Sequence, residues 1–348
     1  MMKAWILKTP ASVDTRPLLL GAVPTPNARD DELLVRVSAC GICRTDLHVV
    51  EGELPVRQSP VIPGHQIVGR VTGMGARVEG FAVGDRVGVA WLNRTCGKCE
   101  YCLSGRENLC EQAQFTGWTV DGGYAQHAVA PASFTYHLPD GFDDIQAAPL
   151  LCAGIIGYRC LRLTGLSENE WKGARVGLYG FGAAGHICIQ LARARGADVY
   201  VCTRDRDRHQ ALAHELGATW VGDAAEAPPV KLNAAIIFAP AGELVPVALK
   251  AAAKGGTIVL GGIHMSPIPS FDYSLIYGER IVRSVANNTR ADGRQFLLEA
   301  ARIPVRTRVQ TFSFDQVNEA LIALKHDAIR GAGVIKMRPS DVCCDNPS

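Results

Sequence analysis

The chain has 348 residues, 47% of them hydrophobic and 20% charged, and its 36 basic and 34 acidic side chains leave a net charge of only +2. That composition excludes a disordered polymer, and the near-balance of charge argues against a nucleic-acid partner. At about 150 residues per domain, the length predicts two domains, each able to bury its own core.

The opening segment, Met1-Met2-Lys3-Ala4-Trp5-Ile6, has no long apolar run or cleavage site. No stretch approaches the roughly 18 uncharged apolar residues needed to span a bilayer. The expectation is a cytoplasmic protein with no membrane partner. Twelve cysteines in a chain of this size, without an export signal, then read as metal ligands more readily than as disulfides.

Residues 33–37, 67–71 and 86–90 are glycine-punctuated β-branched runs, with a turn at Gly84-Asp85 between the last two. They predict a barrel-like β domain with long loops. A glycine- and polar-rich loop follows, carrying Cys96, Cys99, Cys102 and Cys110 as C-x2-C-x2-C-x7-C. Two-residue spacers let successive thiolates converge on one ion, and four sulfurs suit a closed, structural zinc site. An iron–sulfur cluster is the competing reading of the first three cysteines; the long last gap and the missing Cys-Pro argue against it.

From about Gly173 the rhythm changes. Residues 175–179 form a short apolar run that ends in Gly180-Phe181-Gly182-Ala183-Ala184-Gly185, and a helix is predicted from Ala184 until Gly196 caps it. A G-x-G-x-x-G between a strand and a helix is the context of a dinucleotide turn. Gly180 permits the tight turn, Gly182 the approach of a pyrophosphate to the helix N-terminus, and Gly185 close helix–strand packing. Apolar runs at 199–202, 234–238 and 257–260, with helices between them, predict βαβ units and a doubly wound parallel sheet.

Cofactor choice is read after the second of these strands, where an acidic side chain would hold the adenosine ribose hydroxyls. Here Cys202 is followed by Thr203 and Arg204, a hydroxyl and a guanidinium suited to a 2′-phosphate, so NADP(H) is favoured over NAD(H). Asp205 complicates this, since a two-residue shift would restore an acid. Past residue 290, helices are predicted at 297–301 and 316–324 and a last strand at 333–337. Residues 340–348, with Cys343 and Cys344, read as a frayed end.

Three further motifs carry a family resemblance. Ala39-Cys40-Gly41-Ile42-Cys43-Arg44-Thr45-Asp46-Leu47-His48, then Pro63-Gly64-His65, then Pro149-Leu150-Leu151-Cys152-Ala153-Gly154 resemble the zinc-dependent medium-chain alcohol dehydrogenases. The likeness runs from about Met2 to Arg338 and takes in the four-cysteine lobe and the glycine turn. It implies a GroES-like β-barrel catalytic domain (1–153 and 290–348, with a zinc lobe at about 92–112) around an inserted Rossmann domain (154–289).

By resemblance Cys43, His65 and Cys152 are ligands of a catalytic zinc, while Cys40 is packing. Two thiolates and a neutral imidazole would balance the cation and leave a fourth position for an alcohol or carbonyl oxygen. Thr45 matches a proton-relay hydroxyl and His48 a solvent-facing relay histidine. Asp46 matches a carboxylate behind a zinc ligand, and Arg44 a contact to the cofactor pyrophosphate. Leu54 and Trp91, and also Trp118, match positions near a substrate pocket, apolar enough for small to medium primary or secondary alcohols. The implied cofactors are two zinc ions per subunit and a nicotinamide. A short loop between Cys110 and Ala148 is similar to that of tetrameric microbial members, which favours a homotetramer over a homodimer.

Three departures stand out: Gln66 where the family has glutamate, Ala332 where many relatives carry an arginine, and Thr203 in place of the ribose-binding acid. The rival readings are a zinc-independent quinone or enoyl reductase on the same fold, opposed by the three ligands, and a non-catalytic relative, opposed by Thr45 and His48.

Overall fold

The computed structural model describes residues 1–223, 226–303 and 305–337. The tail with Cys343 and Cys344 lies outside them. The chain divides into two compact units, one of Met1–Cys152, Thr289–Leu297 and the segment from Thr307 onward, the other of Ala153–Asn288 and Leu298–Arg306.

In the first unit the long strand Glu32–Ile42 organises everything else. One edge pairs antiparallel with Gln66–Met74, which continues to Arg86–Val89 and Thr135–His137. The other edge is shared. His127–Pro131 pairs with its first half, and Ala332–Lys336 pairs with its last residues and carries Val309–Ser313 in parallel. The pairing among the described residues therefore branches into a mixed sheet, which forms the expected β domain without a ladder that closes it. The ladder between Glu32–Ile42 and Gln66–Met74 shifts register twice, at Leu34/Val35 where Thr72 is the extra residue and at Val37/Ala39 where Ser38 is. The alternating apolar residues of these strands, Val37, Ile67 and Val89 among them, bury a core with Trp5, Leu47, Val50 and Tyr124.

The second unit is a parallel sheet of six strands. Numbered in chain order, Arg175–Tyr179, Asp198–Cys202, Trp220–Gly222, Leu232–Ile237, Ala252–Leu260 and Ile281–Ser284 lie in the order 3-2-1-4-5-6. This is the doubly wound dinucleotide-binding order, and Gly180 follows the first strand at the point where the order reverses. Val176, Leu178, Val199, Val201, Ile236 and Ile258 are fully buried, as strands covered on both faces require.

Candidate functional site

The first cluster of metal-binding side chains is assembled by the fold of the first unit. Gly41 stands opposite Gln66, where a Cβ would come within 2.8 Å of the Gln66 side chain. Beyond it, Cys43 adopts extended backbone and caps the helix Arg44–Glu51. Its sulfur accepts from the Thr45 N–H at 3.3 Å, and its own N–H donates to Asp46 Oδ2 at 2.9 Å, a reciprocal capping box. His65 follows Gly64, whose φ of +97° and contact with the Tyr124 ring admit no side chain. Cys152 stands between the 3₁₀ turn Ala148–Leu151 and the helix Ala153–Leu163.

These three groups converge, with all ligand atoms within 4.8 Å of one another. Cys43 Sγ lies 3.4 Å from His65 Nε2 and 3.9 Å from Cys152 Sγ. Tetrahedral zinc, with Zn–S near 2.3 Å and Zn–N near 2.0–2.1 Å, requires separations of about 3.6 and 3.8 Å. The residues fit the ion. Asp46 fixes the chemistry from behind: its Oδ1 is 2.8 Å from His65 Nδ1, and both side chains are buried. A carboxylate can only accept, so Nδ1 carries a proton, and Nε2, facing the sulfurs, is the nitrogen left to ligate an ion once its own proton is displaced.

The charges of this pocket are shared. Contact with Cys152 holds the Cys43 thiol well below its ordinary value against the opposing effect of burial, and His65 adds to the lowering. The same sulfur contact, with burial, raises Cys152. Burial would lower His65, but the Asp46 and Cys43 charges override it and lift the imidazole to about 10. A divalent cation entering such a cluster displaces protons, because only the deprotonated forms are ligands. Cys40 is fully buried, lies outside the cluster and has its thiol raised chiefly by burial.

Around this cluster the expected partners are distributed unevenly. Trp91 meets the His65 ring edge-on, with centroids 5.1 Å apart, and stacks on Phe115 and Trp118. Leu54 packs at the border of the same core, beside Trp118. Gln66 is buried, and its amide nitrogen has no hydrogen-bond partner among the described residues. Arg44, on the exposed start of its helix, is paired with Asp327. His48 differs from expectation. It is buried, not solvent-facing, and its Nδ1 is hydrogen-bonded to the carboxylate of Glu53, a partner that the sequence reading missed. A five-residue spacing is not a same-face helical spacing, so only the turn at Gly52 could have signalled it.

The second cluster is the four-cysteine loop. All four sulfurs lie within 4.8 Å of one another, with Cys96–Cys102 at 3.9 Å and Cys99–Cys102 at 3.5 Å. Disulfides, at about 2.05 Å, are excluded, and the spacing again suits tetrahedral zinc. Backbone amides of Lys98 and Cys99 hold the Cys96 thiol down at about 6.

In the second unit, each glycine of the turn has its own reason. Gly180 has φ +90°, and a Cβ there would stand 2.9 Å from the Ala239 nitrogen. A Cβ on Gly185 would stand 2.9 Å from the Gly180 carbonyl. Gly182, capping the helix Ala183–Ala194, has nothing within 4 Å of its Cβ position. That open approach to a helix N-terminus is what a pyrophosphate needs. After the next strand, Thr203 is buried and Arg204 is exposed. Asp205 is turned inward as a helix cap, accepting from the Arg208 N–H at 2.9 Å and from its guanidinium.

Comparison with known proteins agrees with both units. The family model described as the alcohol dehydrogenase GroES-like domain matches residues 29–140, and that described as zinc-binding dehydrogenase matches residues 183–302. A probable alcohol dehydrogenase of Mycobacterium tuberculosis is 48% identical over 340 residues, covering 96% of this chain and 97% of its own length. Among solved structures, a cinnamyl alcohol dehydrogenase of Sorghum bicolor superposes with a TM-score of 0.86 at 29% identity, covering 96% of this chain and 97% of its own. A cobalt- and zinc-bound thermostable alcohol dehydrogenase of Pyrobaculum aerophilum gives 0.87 at 25% identity, with coverages of 96% and 99%.

Proposed function

From the premise that this chain belongs to the zinc-dependent medium-chain alcohol dehydrogenases, we propose a residue-level account of how it oxidises alcohols and reduces carbonyls. The chain is an alcohol oxidoreductase that uses zinc and a nicotinamide cofactor. Cys43, His65 and Cys152 hold the catalytic ion. The observation that carries this is their convergence within 4.8 Å from distant parts of the sequence, with Asp46 occupying the far nitrogen of the imidazole. When bound, zinc supplies Lewis acidity towards an alcohol or carbonyl oxygen, and the nicotinamide carries the hydride.

The protein's own groups do the rest. The two sulfurs and the neutral imidazole cancel the cation's charge, and Asp46 keeps His65 in the tautomer that can ligate. Thr45 takes the substrate's hydroxyl proton and His48 carries it on, in the direction of oxidation. Cys96, Cys99, Cys102 and Cys110 hold a second, structural zinc, supported by their mutual spacing. Trp91 and Leu54 wall the substrate pocket. The stacked face of Trp91, Phe115 and Trp118 favours small to medium apolar alcohols, aromatic ones included.

Arg44, Gly180, Gly182 and Gly185 bind the cofactor pyrophosphate, and Thr203 with Arg204 sets the preference for NADP(H). Engagement of Asp205 by Arg208 supports that preference, because this acid is already held in an ion pair. Self-association runs through the edge strand Ile281–Ser284, which has a single strand neighbour among the described residues and exposes Ile281. A homotetramer is our reading, with a dimer the alternative. No described helix is long and apolar enough to cross a membrane. None of the ten described cysteines is in a disulfide, and a cytoplasmic setting is our reading.

The decisive experiment is turnover of an alcohol and aldehyde panel with both cofactors, with zinc content measured on the same samples. Arg204→Ala is expected to weaken NADPH binding about tenfold and NADH little, in line with a charge-assisted contact of about 1.5–3 kcal/mol. Equal losses for the two cofactors would remove the argument for NADP(H).

A further inference from the structure

We propose that Glu53 is the relay partner through which His48 exchanges protons with solvent; the inference rests on the relay reading of His48 given above. His48 sits on the last turns of the helix Arg44–Glu51, with only 10% of its side chain exposed, whereas 45% of the Glu53 side chain is exposed. His48 therefore has little surface of its own from which to reach bulk water.

The chain builds the link deliberately. Gly52 takes φ +77° and donates to the Val49 carbonyl, ending the helix, and the Leu54 N–H then donates to the His48 carbonyl at 3.1 Å. This tight reversal brings Glu53 back over the imidazole, where its Oε2 meets His48 Nδ1. A side chain at φ +77° is disfavoured, so glycine at 52 is part of the device.

The other charged groups that face this helix are held elsewhere. Glu51 pairs with Lys325, Lys325 and His326 with Asp14, and Arg44 with Asp327. Glu53 is the carboxylate whose hydrogen bond is to the buried histidine.

The step balances without any further reagent. In alcohol oxidation, a proton arriving at the outer ring nitrogen of His48 makes an imidazolium. The Nδ1 proton then passes to Glu53 Oε2 and from there to water, leaving the imidazole neutral again. In carbonyl reduction the same proton moves inward. No electrons are exchanged, and one proton is released or taken up per turnover.

The test uses the zinc-loaded enzyme with its nicotinamide cofactor. Proton release in a single turnover is followed with a pH-indicator dye, alongside steady-state kcat and KM. Glu53→Gln keeps a hydrogen-bond acceptor for Nδ1 but cannot take the proton. The expected result is a drop in proton release and kcat of about tenfold, at the low end of the range for a proton-transfer group, with KM unchanged. A bulky tertiary amine buffer, able to collect the proton at the surface, should restore both, and Glu53→Asp should retain much of the rate.

Wild-type proton release in Glu53→Gln would overturn the proposal, and so would a loss that no buffer rescues and that Glu53→Ala reproduces, since that pattern belongs to a structural contact. His48→Gln separates the two levels. If it is slow while Glu53→Gln is not, only the role of Glu53 fails; if it is as fast as wild type, the relay reading of His48 fails with it.

Discussion

The two metal-binding clusters are built in opposite ways. Cys43, His65 and Cys152 come from a helix cap, a strand entry and a 3₁₀ turn, separated by 22 and then 87 residues, and the surrounding core brings them together. Cys96, Cys99, Cys102 and Cys110 come from one loop whose helical pieces, Glu100–Leu103 and the 3₁₀ turn Glu107–Leu109, are each about a single turn, and whose Leu103 and Leu109 are exposed. In the first case the fold makes the site; in the second, on the structural-zinc reading proposed above, the ion would make the local fold. The donors follow the same division. The buried cluster mixes sulfur with an imidazole steadied by Asp46, while the loop uses four sulfurs steadied by backbone amides such as those donating to Cys96. Three protein ligands leave a tetrahedral ion one open position, and four leave none.

If this contrast is right, damage to the two clusters should separate activity from stability. The largest effect is expected from Cys43→Ala: turnover should fall by at least about a thousandfold, several kcal/mol of barrier, while the thermal midpoint and cofactor binding stay close to wild type. Retained turnover would abolish the distinction at once. Next in size, Asp46→Asn should lower zinc affinity at the buried site or turnover by about 10- to 100-fold, measured by competition with a chelator and by kcat, with the loop's zinc unaffected. Equal loss of both ions would mean that Asp46 acts on the whole unit. The smallest change in chemistry is expected from Cys99→Ser, which should lower the melting temperature, each kcal/mol lost being worth about 2–4 °C, while kcat per folded subunit changes less than about twofold. A variant as stable as wild type would show that the loop folds without its ion.

The same contrast explains what could be read from the sequence. A site made by a contiguous loop announces itself in its spacing, and so did the glycine turn, whose neighbours on either side are local. Nothing in the separation of Cys43, His65 and Cys152 points to a shared ion; only the resemblance of their flanking motifs did. Strand positions were legible because alternation and β-branching are local, but the closure of the sheet was not. Whether Glu32–Ile42 shares one edge between two short strands depends on residues about 90 and 300 positions away. The burial of His48 was missed for a related reason. Its sequence neighbours show an amphipathic helix end, whereas its surroundings are set by the reversal at Gly52 and the partner that this reversal delivers.

The position of Trp91 has an optical consequence. Its indole meets the His65 ring edge-on at a centroid distance of 5.1 Å and lies almost parallel to Trp118 at 5.8 Å. Protonating or metallating His65 changes the quenching of the nearest indole, and filling the pocket changes the polarity around the pair. The chain thus carries a built-in fluorophore beside its chemistry, so that ion loading and substrate arrival can each be followed as a change in ultraviolet emission, with no label attached.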